Sequence, residues 1–218
     1  KHLLGVSSVA IPVGTVCICS HSLTDAHVHA CTSNKRKAVT NRHDNVVRAL
    51  YQVALQAGCT VLVEPQRTGD SKRPDLCIIF NGAGQQQQHI DVDVTITHLN
   101  GERDVKAALR TRDLSKIAKY AADSASKGHQ FTPFSITTMG SYSAPAVELV
   151  KKLATHAAQS FLTTDMSMFS REAFYALTSV LHRGNFLVQK YIFDSVLGGM
   201  SNAMPASAAQ VVGMVGVG

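Results

Sequence analysis

The sequence predicts a mixed α/β domain in which a small sheet carries helices on its faces. Two observations lead to this class. Short apolar or alternating runs typical of strands occur between residues 60 and 138, and segments with helical apolar periodicity stand before, between and after them. In chain order the elements read helix, strand, strand, strand, helix, strand and helix. A chain of 218 residues is long enough for one sizeable domain with small appendages.

The first helix is predicted from Arg42 to Gly58, with Asn41 as its N-cap. Apolar residues recur along one face at helical spacing: Val46, Val47, Leu50, Val53, Ala54 and Ala57. Arg42 and His43 stand in the first turn, where backbone N–H groups favour an anion. Two interpretations remain for this pair, a simple exposed helix start or a contact with a DNA phosphate.

Three strands are predicted next, at Thr60–Glu64, Leu76–Phe80 and His89–Thr97. The second is apolar throughout, which is typical of a strand at the centre of a sheet. In the third, apolar residues alternate with Asp91, Asp93 and a threonine. This alternation predicts one apolar and one polar face.

Two acidic residues on one strand face repel each other unless a cation lies between them. Asp75, at the mouth of the second strand, is expected to be able to reach the same place as these acids. Converging carboxylates would form a hard, oxygen-lined site suited to Mg²⁺. The alternative is a solvent-facing strand edge with unrelated acids. Glu64 is either an additional acid or an exposed strand end beside a proline.

The remaining core elements are a helix at Val105–Lys127, a strand at Phe131–Thr138 and a helix at Ala144–Ala158. Beyond them, two further helices are predicted at Ser170–Leu181 and Asn185–Leu197, separated by Arg183-Gly184. They could pack on the core, dimerise or contact another part of a larger protein. The tail from residue 198 is expected to be a poorly ordered connector.

Cysteine spacing near the start of the chain predicts a structural zinc site. Four residues form the pattern C-x-C-x7-H-x3-C: Cys17, Cys19, His27 and Cys31. Three thiolates and one imidazole suit tetrahedral Zn²⁺, whereas a disulfide would leave one cysteine over. His21 and His29 compete with His27 for the fourth position. Cys59 and Cys77 lie inside apolar runs and are predicted to be core residues.

The formal net charge of +6 favours an acidic partner, most commonly nucleic acid, although solubility alone is a second explanation. A basic cluster follows the zinc pattern, at Lys35, Arg36 and Lys37. It is either a phosphate-contacting patch or a solvated loop. No apolar run approaches the ~20 residues needed to cross a bilayer, so no membrane partner is expected. The chain begins on Lys1 rather than Met, which is consistent with a piece of a larger polypeptide.

Taken together, these residues resemble the restriction-enzyme-like endonuclease domain of site-specific non-LTR retrotransposon polyproteins. The core of that domain belongs to the PD-(D/E)XK nuclease superfamily. The resemblance covers the chain from Cys17 to about Gly140 and follows one order: the C-x-C-x7-H-x3-C knuckle, Arg42-His43, Arg73-Pro74-Asp75, Asp93-Val94-Thr95, Lys116 with Tyr120, and Phe131-Thr132-Pro133-Phe134. It implies a restriction-endonuclease-like core with an α-β-β-β-α-β mixed sheet, an N-terminal zinc knuckle and C-terminal helices.

The resemblance also implies a catalytic set. Asp75 and Asp93 would hold Mg²⁺ or Mn²⁺. In many PD-(D/E)XK enzymes the lysine lies two residues after the second acid, where this chain has Thr95. Retrotransposon members carry it on the following helix, where Lys116 stands with Tyr120 one turn later. Lys119 is a rival for the same role, because one helical turn nearly superposes the two lysines.

The resemblance implies a metal-dependent DNA endonuclease that nicks its target so that reverse transcription is primed there. Its partners would be DNA and the reverse-transcriptase portion of the same polyprotein with its RNA, and its location the nucleus. Candidate DNA-contacting residues are Lys35, Arg36, Lys37, Arg42, His43, Arg73 and Lys119. The expected organisation is a knuckle with its basic cluster at 1–37, a nuclease-like core at 38–160 and a helical extension with a flexible tail at 161–218. The alternatives are an inactive nucleic-acid-binding zinc module derived from such an element, or a zinc domain that contacts a partner protein.

Overall fold

The structure is a computed structural model. It describes residues 14, 16, 20–22, 24, 27, 37–65, 73–81, 87–99, 104–160, 162 and 165–201, with side chains described up to residue 190. Most of the predicted zinc knuckle, including its three cysteines, lies outside the described residues.

Eight helices and strands make up the described fold. In chain order they are α1 (Lys37–Gln56), β1 (Thr60–Val63), β2 (Leu76–Phe80), β3 (Gln88–Thr97), α2 (Val105–Ser126), β4 (Gln130–Thr137), α3 (Ala144–Gln159) and α4 (Met166–Ser201). The predicted mixed α/β class is confirmed. No helix among the described residues is long and apolar enough to span a membrane.

The four strands form one sheet in the order β1-β2-β3-β4. The first two pairings are antiparallel, and β3 pairs with β4 in parallel. A parallel pair needs a long crossover, and α2 provides it. The prediction that β2 is an interior strand is confirmed, because β2 is bonded to a strand on each side.

The apolar core lies on one face of the sheet. Val92 and Val94 of β3 and Phe134 of β4 are at most 2% exposed there. They pack in one cluster with apolar residues of α1, α3 and α4, such as Leu50 and Leu177. Burying a side chain of this size contributes about 1.5–3 kcal/mol, so this face supplies much of the stability of the fold.

The opposite face of the sheet is covered by α2 and is polar. Asp91 and Asp93 of β3 lie on it and are 0% and 4% exposed. The alternative of a solvent-facing acidic edge is therefore wrong for this strand. A buried carboxylate is costly unless it is paired or hydrogen-bonded, so these two acids need partners from α2 and its surroundings.

The predicted bounds were wrong for the first helix and for the C-terminal region, where helix α4 begins at Met166 and extends to Ser201, past the predicted start of the tail at residue 198. Helix α1 begins at Lys37 rather than Arg42, so Asn41 lies inside it instead of capping it. The two predicted C-terminal helices are one helix, α4, which continues through Gly184. A Cβ at Gly184 would lie 2.5 Å from Cγ of Arg42 in α1. This glycine therefore permits a close crossing of two helices and does not break α4.

Helix α4 packs on the core. Ala173, Leu177 and Leu181 are at most 4% exposed and belong to the main apolar cluster. Of the three possibilities left by the sequence for this region, packing on the core is the one observed for these residues.

Candidate functional site

The β2–β3 register relates the positions of the two predicted metal-binding acids, Asp75 and Asp93. Leu76 of β2 pairs with Val92 of β3. Extending this antiparallel register by one residue brings Asp75 opposite Asp93, and residues paired in this way project from the same face. Asp75 Oδ2 also accepts the backbone N–H of Val94, the residue next to Asp93, at 2.6 Å.

The position of Asp75 follows from the proline before it. Pro74 would come opposite Val94, but a proline has no N–H to donate to the ladder. Side chains make the bonds instead. Asp75 accepts from Val94 N, and His43 Nε2 lies 3.1 Å from the Val94 carbonyl oxygen. The Arg73-Pro74-Asp75 motif therefore ends the β2–β3 ladder and turns a carboxylate toward β3.

His43, in α1, adds a positive charge beside Asp75. Its Nε2 lies 3.5 Å from Asp75 Oδ2, and its Nδ1 lies 3.2 Å from Asp44 Oδ1. The hydrogen bond to Asp75 is the main cause that raises the pKa of His43 from 6.5 to about 9, against the opposing effect of burial. The ring is therefore an imidazolium at neutral pH, with acceptors for both N–H groups.

Lys116 of α2 reaches the second acid. Its Nζ lies 2.7 Å from Asp93 Oδ2, and the carboxylate side chain is 6% exposed. Thr95, at the position where many PD-(D/E)XK enzymes carry lysine, donates its hydroxyl to the same oxygen at 3.3 Å. The ammonium thus comes from the helix instead of the strand.

Lys119 and Tyr120 complete the site on the α2 side. Lys119 Nζ donates to the Tyr120 hydroxyl at 2.7 Å. Burial, followed by the charge and hydrogen bond of Asp93, raises the pKa of Tyr120 to about 12, and the charge of Asp75 acts in the same direction. Both carboxylates therefore disfavour ionisation of the hydroxyl, which stays protonated at neutral pH. The two rival lysines have different contacts: Lys116 pairs with Asp93, and Lys119 bonds to Tyr120.

The start and the packing of α2 orient these side chains. Asp104 caps the helix by accepting from the N–H groups of Lys106 and Ala107 at 3.0 Å each. Further along, the ring of Tyr120 packs against Phe131 of β4, with 5.3 Å between ring centroids. Because these two points fix the rotation of the helix, Lys116 faces β3.

The structure separates the candidate DNA-contacting residues by exposure. Lys37, Arg73 and Lys119 are exposed. Arg42 is only 2% exposed, its Nη1 donates to Asn185 Oδ1 at 2.9 Å, and burial lowers its pKa to about 10. This contact gives Arg42 a role in joining α1 to α4, and its contact with DNA stays a prediction. Lys35 and Arg36 lie outside the described residues.

Little of the predicted zinc knuckle is described. Cys17, Cys19 and Cys31 lie outside the described residues, as does His29. The rings of His27 and His21 stack, with centroids 5.6 Å apart. Two of the rival histidine ligands are therefore neighbours, and the zinc site itself stays a prediction.

Glu64 directly follows β1 and lies next to Asp75. Its backbone N–H donates to the Asp75 carbonyl oxygen at 2.9 Å, and its φ of 39° lies in the left-handed region. The residue is exposed. A role as an additional acid stays a prediction.

Sequence reasoning missed a second group of polar side chains, near the junction of α2 and β4. Cys77, His89 and His129 bring their potential ligand atoms within 4.8 Å of one another. Cys77 is 1% exposed, so its prediction as a core residue is confirmed, but its neighbours are imidazoles. No local spacing indicates this group, because its members come from β2, β3 and the loop before β4.

No protein-family model matches this chain. A search of the curated proteins finds no significant match either.

Proposed function

We propose that this chain is a metal-dependent DNA endonuclease with a restriction-endonuclease-like core, in which Asp75 and Asp93 hold Mg²⁺ or Mn²⁺. The observation that supports the proposal is that the β2–β3 register, extended by one residue, brings Asp75 opposite Asp93, while Lys116 Nζ lies 2.7 Å from Asp93 Oδ2. Two strand carboxylates beside a lysine suit phosphodiester hydrolysis, because the reaction needs charge neutralisation and an oriented water.

The donor set fits a hard divalent cation. Mg²⁺ is commonly held by one or two carboxylates and keeps several waters. The Asp93 side chain is 6% exposed and that of Asp75 is 21% exposed, so one ligand is buried and the other is partly exposed to solvent. Within the described residues, the hydrogen bond and ion pair of Asp75 both involve Oδ2, which leaves Oδ1 for a cation.

The residues around the acids have separate roles in this proposal. When bound, the ion would polarise a phosphate oxygen and lower the pKa of a water. Lys116 would orient that water and neutralise charge on the phosphate. The protonated hydroxyl of Tyr120, which accepts from Lys119, is a hydrogen-bond donor near Asp93. His43 would hold Asp75 in place through its ring N–H.

A second candidate is a nucleic-acid-binding module that no longer cuts. One observation favours it: Lys116 and the His43 imidazolium already pair with the two acids, so the site is electrically balanced with side chains alone. In an endonuclease these cations would have to share the carboxylates with the metal. A binding module would need no such exchange.

The resemblance to the retrotransposon domain extends the proposal. The nick would expose a 3′ hydroxyl that primes reverse transcription, the partners would be target DNA and the polyprotein's reverse transcriptase with its RNA, and the site of action would be the nucleus. A zinc knuckle at Cys17, Cys19, His27 and Cys31 would brace the basic residues 35–37 for DNA contact. The net charge of +6 supports a polyanionic partner.

A nicking assay on supercoiled plasmid tests the proposal. We expect the intact chain to nick with Mg²⁺ or Mn²⁺, and Asp75→Asn and Asp93→Asn to lose nearly all activity while staying folded. Glu148→Gln is the matched control, because Glu148 is an exposed acid of α3 that pairs with Lys151 three residues later in the same helix. Equal cutting by all four proteins would show that the activity does not come from Asp75 and Asp93. DNA binding without cutting by the intact chain would favour the second candidate.

A further inference from the structure

We propose that Cys77, His89 and His129 form a zinc site on the α2-covered face of the sheet, separate from the Asp75–Asp93 pair. The first argument is convergence. One thiol and two imidazoles from three segments that are separate in the sequence bring their potential ligand atoms within 4.8 Å of one another. Tetrahedral zinc with Zn–N of about 2.0 Å and Zn–S of about 2.3 Å places these ligand atoms roughly 3.3–3.5 Å apart. Because the two histidine rings stack with only 17° between their planes, binding would also require one ring to turn out of the stack so that both nitrogens point at the ion.

Sheet register explains how the three donors meet. Cys77 pairs with Asp91 across β2 and β3, so His89 is its diagonal neighbour two residues along β3 on the same face. His129 follows Gly128, whose φ of 73° allows the chain to turn sharply from α2 into β4. The rings of His89 and His129 then stack with centroids 4.7 Å apart and 17° between planes.

The buried carboxylate of Asp91 contacts one of the proposed ligands, His129. Both carboxylate oxygens of Asp91 lie 3.3 Å from His129 Nδ1, and Ser124 Oγ donates to Asp91 Oδ2 at 2.7 Å. An Nδ1–H bonded to a carboxylate leaves Nε2 as the nitrogen for a metal and makes it a better ligand. Asp91 is 0% exposed, and a cation on His129 would offset the cost of burying its charge.

The donor types select the metal class. One thiolate and two imidazoles favour Zn²⁺ over Mg²⁺ or Ca²⁺, which prefer oxygen ligands. Cys77 is 1% exposed, whereas the side chain of His129 is 23% exposed, so the ion would enter from the histidine side. Three protein ligands leave a fourth position for water. The bound ion would tie β2 and β3 to the junction of α2 and β4.

Metal analysis of the full chain tests this site. We expect His89→Gln and Cys77→Ser each to lower the bound zinc by one equivalent relative to the unmodified chain. Cys59→Ser is the matched control, because Cys59 is also a buried cysteine but lies outside the cluster. His89 is partly exposed, so His89→Gln decides the question even if Cys77→Ser fails to fold.

Cobalt separates this site from the predicted knuckle. In the full chain carrying Cys17→Ser, Cys19→Ser and Cys31→Ser, added Co²⁺ should still give a thiolate-to-cobalt charge-transfer band, and Cys77→Ser in that background should abolish it. Unchanged zinc content in His89→Gln, or a charge-transfer band that survives Cys77→Ser, would overturn the proposal. The result does not depend on nicking, so it is independent of the endonuclease proposal.

Discussion

The two faces of the sheet are stabilised by different kinds of interaction. The face under α1, α3 and α4 is a continuous apolar core that includes Phe134 and Leu50, both 0% exposed. The face under α2 buries charges and polar groups, with Asp93 paired to Lys116 and Asp91 bonded to Ser124. Apolar burial is non-directional, whereas each buried charge needs a partner in a defined place. Stability should therefore depend mainly on the first face, and function on the second.

The largest expected effect on stability is on the apolar face. Phe134→Ala removes a fully buried ring and should lower the free energy of unfolding by about 3–5 kcal/mol. Phe186→Ala is the control, because Phe186 is 54% exposed and should change stability by less than about 0.5 kcal/mol. Urea denaturation measures both. Similar losses for the two variants would contradict the assignment of the core to this face.

The next effect distinguishes the two lysines on the polar face. Lys116→Met should reduce nicking by about 100-fold or more, since it removes the ammonium that contacts Asp93. Lys119→Met should reduce it much less, because Lys119 acts through the Tyr120 hydroxyl. Single-turnover nicking rates with excess enzyme compare the two at equal folding. The reverse ranking would make Lys119 the residue that serves the reaction.

The smallest effect is a pH dependence on the polar face. The pKa of His43 is raised from 6.5 to about 9 in the folded chain, so the charged ring stabilises the folded state. This contribution is complete below about pH 6.5 and disappears as the pH rises through about 9. Because the side chain is 34% exposed, solvent screening reduces it to about 1 kcal/mol.

His43→Gln tests this dependence. The variant should be less stable than the intact chain near pH 6, and the two should converge above about pH 9. Urea midpoints measured across this range give the difference directly. A constant gap between the two proteins at every pH would show that His43 acts only through packing.

Local patterns predicted most of the fold. The bounds of β2 were predicted to the residue, and those of β3, α2 and α3 to within one residue. An apolar strand, an alternating strand and an amphipathic helix each carry their own periodicity. The prediction was wrong at Gly184 because a glycine in a helical pattern is commonly a sign of a helix end. Here a glycine is needed because Arg42 of another helix approaches too closely for a side chain.

The site was harder to predict than the fold. The alternating pattern left open whether the acids of β3 are unrelated, and the pairing of Asp75 with Asp93 was implied by the family resemblance. The sequence could not separate Lys116 from Lys119, since the rotation of α2 depends on the packing of Tyr120 against Phe131. The cluster around Cys77 could not be predicted for a related reason. Its three donors come from separate segments, and only the sheet register shows that they lie together.

The close crossing at Gly184 limits how far the chain can be shortened. Arg42 packs against Gly184 and donates to Asn185, and the next residue in α1 is His43, which contacts Asp75. A truncation that ended before residue 184 would remove the surface on which this end of α1 rests. The C-terminal helix is thus a support for the acid pair, although it lies more than a hundred residues later in the sequence than His43.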